Sequence, residues 1–192
     1  MLLLFASQNQ NKTTEIRKIL PAGITLESLV DYNFRDDIPE TGLTLTENAL
    51  IKARFVWQRF GQPCFADDTG LEVEALHGAP GVFSARYAGE EKSEDKNMQK
   101  LLLEIENIPN RKACFKTVIA LIVDGKEFIF EGRVDGEITF TRRGDSGFGY
   151  DPIFIPDGYD RTFAEMSLDE KNKISHRGRA LEKLVSWLRK AN

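Results

Sequence analysis

The chain has 192 residues, enough to bury a substantial core, and its length favours one domain spanning residues 1–192, with room for two lobes. A composition of 41% hydrophobic and 29% charged residues excludes extensive disorder and fibrous architecture. A formal net charge of -4 gives no global attraction to nucleic acid or an anionic membrane surface, and no apolar run approaches the roughly 20 residues needed to span a bilayer.

Leu2 to Ala6 is apolar without alternation, as in a strand covered on both faces, and the polar run Ser7 to Asn11 follows it. A helix is expected from about Lys12 to Leu20, ended by Pro21 and Gly23. Thr25 to Val30 reads as a second strand, and the acidic stretch Asp31 to Thr41 as loop. Thr44 and Glu47 form a capping-box pattern before a long helix with apolar positions Leu45, Ala49, Ala53, Val56, Trp57 and Phe60, stopped by Gly61 and Pro63. Cys64 to Ala66 is expected to be a short strand that breaks at Asp67-Asp68-Thr69-Gly70 and resumes through Leu71 to Val73. A turn at His77 to Gly81 precedes an amphipathic helix from about Ser93 to Ile105. Ala113 to Val123 and Lys126 to Arg133 are β-rich runs separated by Asp124-Gly125, a strong hairpin signal. Gly136 to Thr141 predicts another strand, Arg142 to Tyr159 a loop with a short extended piece, and His176 to Lys190 a C-terminal helix. Early alternation of strands and helices followed by a hairpin predicts a mixed α/β sheet flanked by helices.

MLLLFA is too short for a signal-peptide core and lacks a basic flank, so a cytoplasmic protein is expected. Cys64 and Cys114 lack CxxC spacing and read as reduced, buried thiols rather than zinc ligands or a disulfide.

Four segments carry candidate chemistry. Ser7-Gln8-Asn9-Gln10-Asn11-Lys12 lies between a buried strand and a helix start, where free backbone N–H groups, the helix dipole and a lysine favour an anion. Without the glycines of a P-loop, the segment also reads as a plain polar turn capped by Asn. Asp67 and Asp68 are adjacent carboxylates between Phe65-Ala66 and Leu71, and they repel each other unless water or a cation neutralises them. Mg²⁺ would suit, since it commonly takes one or two carboxylates and leaves its other positions to water and substrate phosphates. A solvated turn before Thr69-Gly70 is the alternative. Glu40, before the long helix that leads back to Asp68, is a candidate second ligand or an exposed loop residue.

The third segment, Gly144-Asp145-Ser146-Gly147-Phe148-Gly149-Tyr150-Asp151-Pro152, has glycines that permit close backbone approach and an aromatic able to stack on a purine. It reads equally as a tight loop closed by its own aromatics. In the fourth, Lys171 and Ser175-His176-Arg177 supply donors that would donate to the O6 of hypoxanthine or xanthine and disfavour the amino group of adenine. Surface charge and a helix cap are the alternative for each taken singly.

Taken together, SQNQNK, ETGLTLTENALIKA, ADDTGLEV, GAPGVFSARYAGE, GFGYDPIF and EKNKISHRGRAL resemble, in this order and over essentially the whole chain, the inosine triphosphate pyrophosphatase family, also called XTP/dITP diphosphatases. The resemblance implies hydrolysis of ITP, dITP and XTP to the monophosphate and pyrophosphate, cleansing the purine nucleotide pool. It implies a mixed α/β fold with an elongated sheet flanked by helices, two lobes around a central active-site cleft, and a homodimer. By matching positions it implies that Ser7, Gln8, Asn9, Gln10, Asn11 and Lys12 hold phosphates, that Glu40 and Asp68 bind Mg²⁺, and that Asp68 is the general base. Thr69 would line the substrate site. Phe148 would lie against the base with Gly149, Tyr150 and Asp151 completing that wall, and Lys171, His176 and Arg177 would read its edge. Arg86 would contribute phosphate or base-side contacts. Gln8 stands where the family often has Gly, and Thr69 where it often has Ser; neither departure removes a catalytic group. A Maf-like nucleotide pyrophosphatase is the nearest rival, against which GFGYDP and SHRG weigh. A nucleotide-binding regulator without turnover is disfavoured by the intact acidic set, and an RNA-binding module by the net negative charge.

Overall fold

The computed structural model describes residues 1–191. Its elements are β1 (Leu2–Phe5), α1 (Gln10–Ile19), β2 (Thr25–Ser28), α2 (Leu45–Phe60), β3 (Cys64–Val73), α3 (Glu94–Glu104), β4 (Lys112–Val123), β5 (Lys126–Ile138), β6 (Phe154–Pro156), α4 (Leu168–Ile174) and α5 (His176–Ala191), with short 3-10 turns between some of them. The fold is mixed α/β, with a six-stranded sheet of order β2-β1-β3-β4-β5-β6. β1 runs parallel to both β2 and β3, whereas β6 is antiparallel to β5.

The residues group into two compact units. The first comprises Met1–Asp68, Thr117–Gly132 and the chain from Gly178 onward. Leu3, Phe5, Ile16, Phe65, Ile119, Leu181 and Leu184 fill its core, and the Phe5 and Phe65 rings stack at 4.7 Å between centroids. Burial of each such large side chain contributes about 1.5–3 kcal/mol. The start of α2 is set by the expected capping box, in which Thr44 accepts from the Glu47 amide and Glu47 accepts from the Thr44 amide. Its end is set by Gly61, whose φ of 66° suits the left-handed cap. Asp124 and Gly125 both have positive φ, 50° and 73°, as a two-residue turn between right-twisted strands requires.

The second unit comprises Thr69–Lys116 and Arg133–Arg177. Its core gathers Leu71, Met98, Leu101, Phe115, Phe154 and Phe163, with Phe115 edge-on to Phe154 at 4.8 Å. Arg111, buried beneath Phe140, ties the end of α3 to the end of β5 by donating to the backbone carbonyls of Ile105, Ile138 and Thr139.

Two local expectations are corrected. β3 does not break at Asp67-Asp68: it is continuous from Cys64 to Val73, because both carboxylates meet lysines inside the protein and need no turn to reach water. Gly136 to Thr141 is not a separate strand, since β5 continues through Gly136 to Ile138. At Gly136 a side chain would collide with the Ile155 carbonyl of β6, so the missing Cβ allows that pairing. α4 is a further element, and Ser167 and Glu170 form a capping box at its start that is legible as S-L-D-E.

Candidate active site

In the first unit, β1 delivers the chain into Ser7–Asn9. Asn9 caps α1 by accepting from the Lys12 amide at 3.1 Å, and Ser7 Oγ accepts from the Asn9 amide at 3.1 Å. Gln8 Nε2 donates to the Asp36 carbonyl at 3.0 Å and so ties the turn to the acidic loop. Gln8, Asn9, Gln10 and Asn11 are exposed, at the strand end and in the first helical turn. Half-buried Lys12 turns inward, and its Nζ lies 3.0 Å from Asp67 Oδ1.

Asp68, the next residue of β3, meets a different lysine. Lys52 Nζ donates to Asp68 Oδ1 at 2.8 Å and to Glu40 Oε1 at 2.6 Å, bridging the two carboxylates expected to share a cation. Two local features produce the bridge. Asn48 and Lys52 are four residues apart on the buried face of α2, and Asn48 Oδ1 accepts from the Gly42 amide at 2.8 Å, folding the Glu40 loop back over the helix. Any side chain at Gly42 would strike Glu47 and the Asn48 backbone, so this close approach needs glycine.

Burial works against the charge on Lys52, but Asp68, Glu40 and Asp67 outweigh it and hold the ammonium above its ordinary pKa. Burial pushes the Asp68 carboxyl up, opposed by Lys52. Lys52 was missed by the sequence reading. Its signal was available: a lysine at position 52 falls within the apolar stripe Leu45, Ala49, Ala53, Val56, where a charge requires a partner.

The donor set fits a hard divalent ion. Glu40 and Asp68 offer carboxylate oxygens around one position already taken by a cationic group, with Asp67 adjacent. Among the described residues no group of three or more His, Cys, Asp and Glu is arranged to hold a metal. Two carboxylates are nonetheless what Mg²⁺ commonly takes from a protein when substrate phosphates complete its shell.

In the second unit, Phe148 is covered by cations. Lys171 Nζ stands 4.6 Å from its ring centroid and the Arg177 guanidinium 5.4 Å. Asp151 Oδ2 accepts both from Lys171 Nζ at 2.7 Å and from the Phe148 amide at 2.9 Å. Gly147 and Gly149 have positive φ, 79° and 64°, and a side chain on Gly147 would run into Asp151. Arg177 also reaches Thr69 Oγ1 at 3.4 Å, a contact that requires the side-chain hydroxyl. Tyr150 is buried, and its hydroxyl donates to the Ser84 carbonyl at 2.9 Å. Thr69, Phe148, Gly149, Asp151, Lys171 and Arg177 thus form one constellation.

His176 and Arg86 have different surroundings. His176 is 3% exposed and lies flat on Phe115 at 4.5 Å, against the aromatic core. Arg86 covers Phe83 at 5.4 Å on the turn Gly81–Arg86. That turn is held by a second pair missed in the sequence: Asn97 donates to the Ala85 carbonyl at 2.9 Å and accepts from the Ala88 amide at 2.7 Å, while Ser84 Oγ accepts from the Leu71 amide at 2.9 Å.

The model of the Ham1 family matches residues 3–187. The dITP/XTP pyrophosphatase of Flavobacterium johnsoniae is 56% identical over 188 residues, covering 98% of each chain. Among solved structures, the Ham1 protein of Staphylococcus aureus superposes with a TM-score of 0.91 at 39% identity over 100% of both chains. A HAM1 protein from Coxiella burnetii gives 0.91 at 42% identity over 99% of both.

Proposed function

The chain belongs to the Ham1 family, and from that premise we propose that it hydrolyses the non-canonical purine nucleoside triphosphates ITP, dITP and XTP to the monophosphate and pyrophosphate, with Mg²⁺ as cofactor. The observation that carries this reading is the carboxylate pair Glu40 and Asp68 gathered on one cation, with Lys12 on the neighbouring Asp67. Carboxylates for a metal beside lysines for phosphates are what a triphosphate hydrolase needs, because its catalysis is chiefly charge neutralisation and positioning.

Glu40 and Asp68 would hold the Mg²⁺. When bound, the ion supplies charge neutralisation at the phosphates and a lowered barrier to water ionisation. Lys12 and Lys52 bind phosphate oxygens, as do the amides and side chains of Ser7, Gln8, Asn9, Gln10 and Asn11 at the N-terminus of α1. Asp68 accepts a proton from the attacking water, whose oxygen ends on phosphorus as the α–β phosphoanhydride bond breaks and pyrophosphate departs. Phe148, with Gly149, Tyr150 and Asp151 beside it, offers a face for the base. Lys171 and Arg177 present donors to an O6 carbonyl, and adenine would set its own donor against them. His176 supports that edge, and Thr69 and Arg86 contribute contacts to the substrate.

The proposed setting is cytoplasmic, with a small-molecule nucleotide as partner and neither nucleic acid nor membrane. In support, no helix among the described residues is long and apolar enough to cross a membrane, and the net charge is negative. A homodimer is proposed on the family resemblance, with light scattering as its check. The activity is tested by incubating purified protein with ITP, XTP, ATP, dTTP and UTP, with and without Mg²⁺. Mg²⁺-dependent pyrophosphate release from ITP and XTP, well above ATP, is expected. Orthophosphate as the product, or a pyrimidine preference, would overturn the reading.

A further inference from the structure

Lys52 occupies the position that the cofactor proposed above would need. Its Nζ lies within hydrogen-bonding distance of Glu40 Oε1 and Asp68 Oδ1, at 2.6 and 2.8 Å, and the side chain is 10% exposed. It emerges from the middle of α2 between the fully buried Ala49 and Ala53, so its stem is packed and its ammonium has little access to water. The neighbouring Asp67 is engaged by Lys12.

Such an ammonium suits a nucleotide-free protein. Without a cation, Glu40, Asp67 and Asp68 would repel one another in a poorly solvated place. A divalent ion seated on the same two oxygens would force the ammonium out, because two cations at contact distance repel strongly in a low-dielectric site. Evicting a buried ammonium without a new acceptor leaves an uncompensated charge, which is costly. A triphosphate supplies that acceptor in its phosphate oxygens.

We propose that Lys52 is a resident cation that closes the position between Glu40 and Asp68 until a triphosphate draws its ammonium away, so that the divalent ion enters with the nucleotide and binds the free protein weakly. The proposal rests on the metal-dependent reading above and adds an order of binding to it. The two ligands are coupled: each favours the other by taking or vacating the place of Lys52.

The test measures Mn²⁺ binding to nucleotide-free protein by electron paramagnetic resonance and calorimetry. Lys52→Met keeps an unbranched stem of similar length and removes the charge. It is expected to bind Mn²⁺ about tenfold more tightly than the wild type, since the competing cation is gone. Lys52→Arg, whose guanidinium can span both carboxylates, is expected to stay within about threefold of the wild type. Glu40→Gln added to Lys52→Met should abolish the gain. Equal affinity in wild type and Lys52→Met would overturn the proposal, as would an Arg variant as tight as the Met variant, or a gain that survives loss of Glu40. Circular dichroism and thermal melting establish folding, and Lys52→Gln stands in for Lys52→Met if the latter does not fold. Pyrophosphate release from ITP by the wild type is measured alongside. Turnover without the Mn²⁺ difference removes this inference and leaves the activity, whereas absence of turnover removes the activity and leaves the Mn²⁺ comparison to decide the role of Lys52.

Discussion

Lys171 Nζ lies 2.7 Å from Asp151 Oδ2, with both residues 3% exposed, and the same oxygen accepts the backbone N–H of Phe148. One carboxylate therefore neutralises a buried ammonium and holds the aromatic loop in place. The two duties are separable by mutation, because only the first depends on charge.

Asp151→Asn keeps an acceptor for the Phe148 amide but removes the negative charge that Lys171 Nζ faces at 2.7 Å. Loss of one partner from a buried pair costs roughly 3–5 kcal/mol, and urea denaturation should find a destabilisation of that order. Pairing Asp151→Asn with Lys171→Met should recover part of it. Additive losses in the double variant would mean that the two groups are energetically independent.

Tyr150→Phe removes the hydroxyl that donates to the Ser84 carbonyl while keeping the ring in its core. The Ser84 carbonyl is also near Asn97 Nδ2, at 3.4 Å, so it retains a weak donor. The expected destabilisation is therefore about 1 kcal/mol, the size of one net hydrogen bond. The link runs from the aromatic loop to the turn that carries Arg86, so KM for ITP should rise more than kcat falls. A variant with wild-type stability and KM would show that the contact contributes nothing.

Elements governed by neighbouring residues were legible in the sequence. The Thr44–Glu47 capping box and the Asp124-Gly125 turn depend on side chains and φ angles within a few positions, and both appear as expected. The course of β3 through Asp67 and Asp68 was not legible, because it depends on Lys12 and Lys52, which lie 55 and 16 residues away from their partners. A pattern reading treats adjacent carboxylates as a turn since it cannot see the ammoniums that make burial tolerable. The candidate site divides in the same way. Its acidic and aromatic members announce themselves by chemistry in sequence, whereas Lys52, Ser84 and Asn97 act through long-range contacts.

Glu165 supports the loop from Arg143 to Tyr150 from outside the constellation. It accepts from the Thr162 amide at 2.8 Å and pairs with Arg143 at 3.0 Å, while Thr162 Oγ1 donates to the Arg143 carbonyl at 2.8 Å. The Thr162 amide, opposed by burial and joined by Arg143, holds the Glu165 carboxyl below the ordinary glutamate range. A lowered folded-state pKa means that the stabilisation is present above the unfolded glutamate value and is lost as pH falls through the folded one. Glu165→Gln should therefore melt below the wild type at neutral pH, with the gap closing in acid. A gap that is unchanged at low pH would assign the loss to packing instead.

The thiols give the opposite sign at the other end of the pH scale. Cys64 is fully buried in β3 with its Sγ 3.4 Å from the Ala53 carbonyl, and burial pushes its thiol up to about 12. Cys114 is also raised by burial, with Arg133 opposing. At pH 8 the thiolate fraction of folded Cys64 is on the order of one part in ten thousand, so a disulfide reagent such as Ellman's should react only after unfolding, since the thiolate is the nucleophile. Because the folded pKa lies above the unfolded one, the contribution of Cys64 to stability is intact below the unfolded thiol range. It is lost as pH climbs from about 9 toward 12. Cys64→Ala should lose packing at every pH but show a shallower alkaline decline than the wild type. Rapid labelling of the native protein at Cys64, located by peptide mapping, would contradict both its burial and its raised pKa.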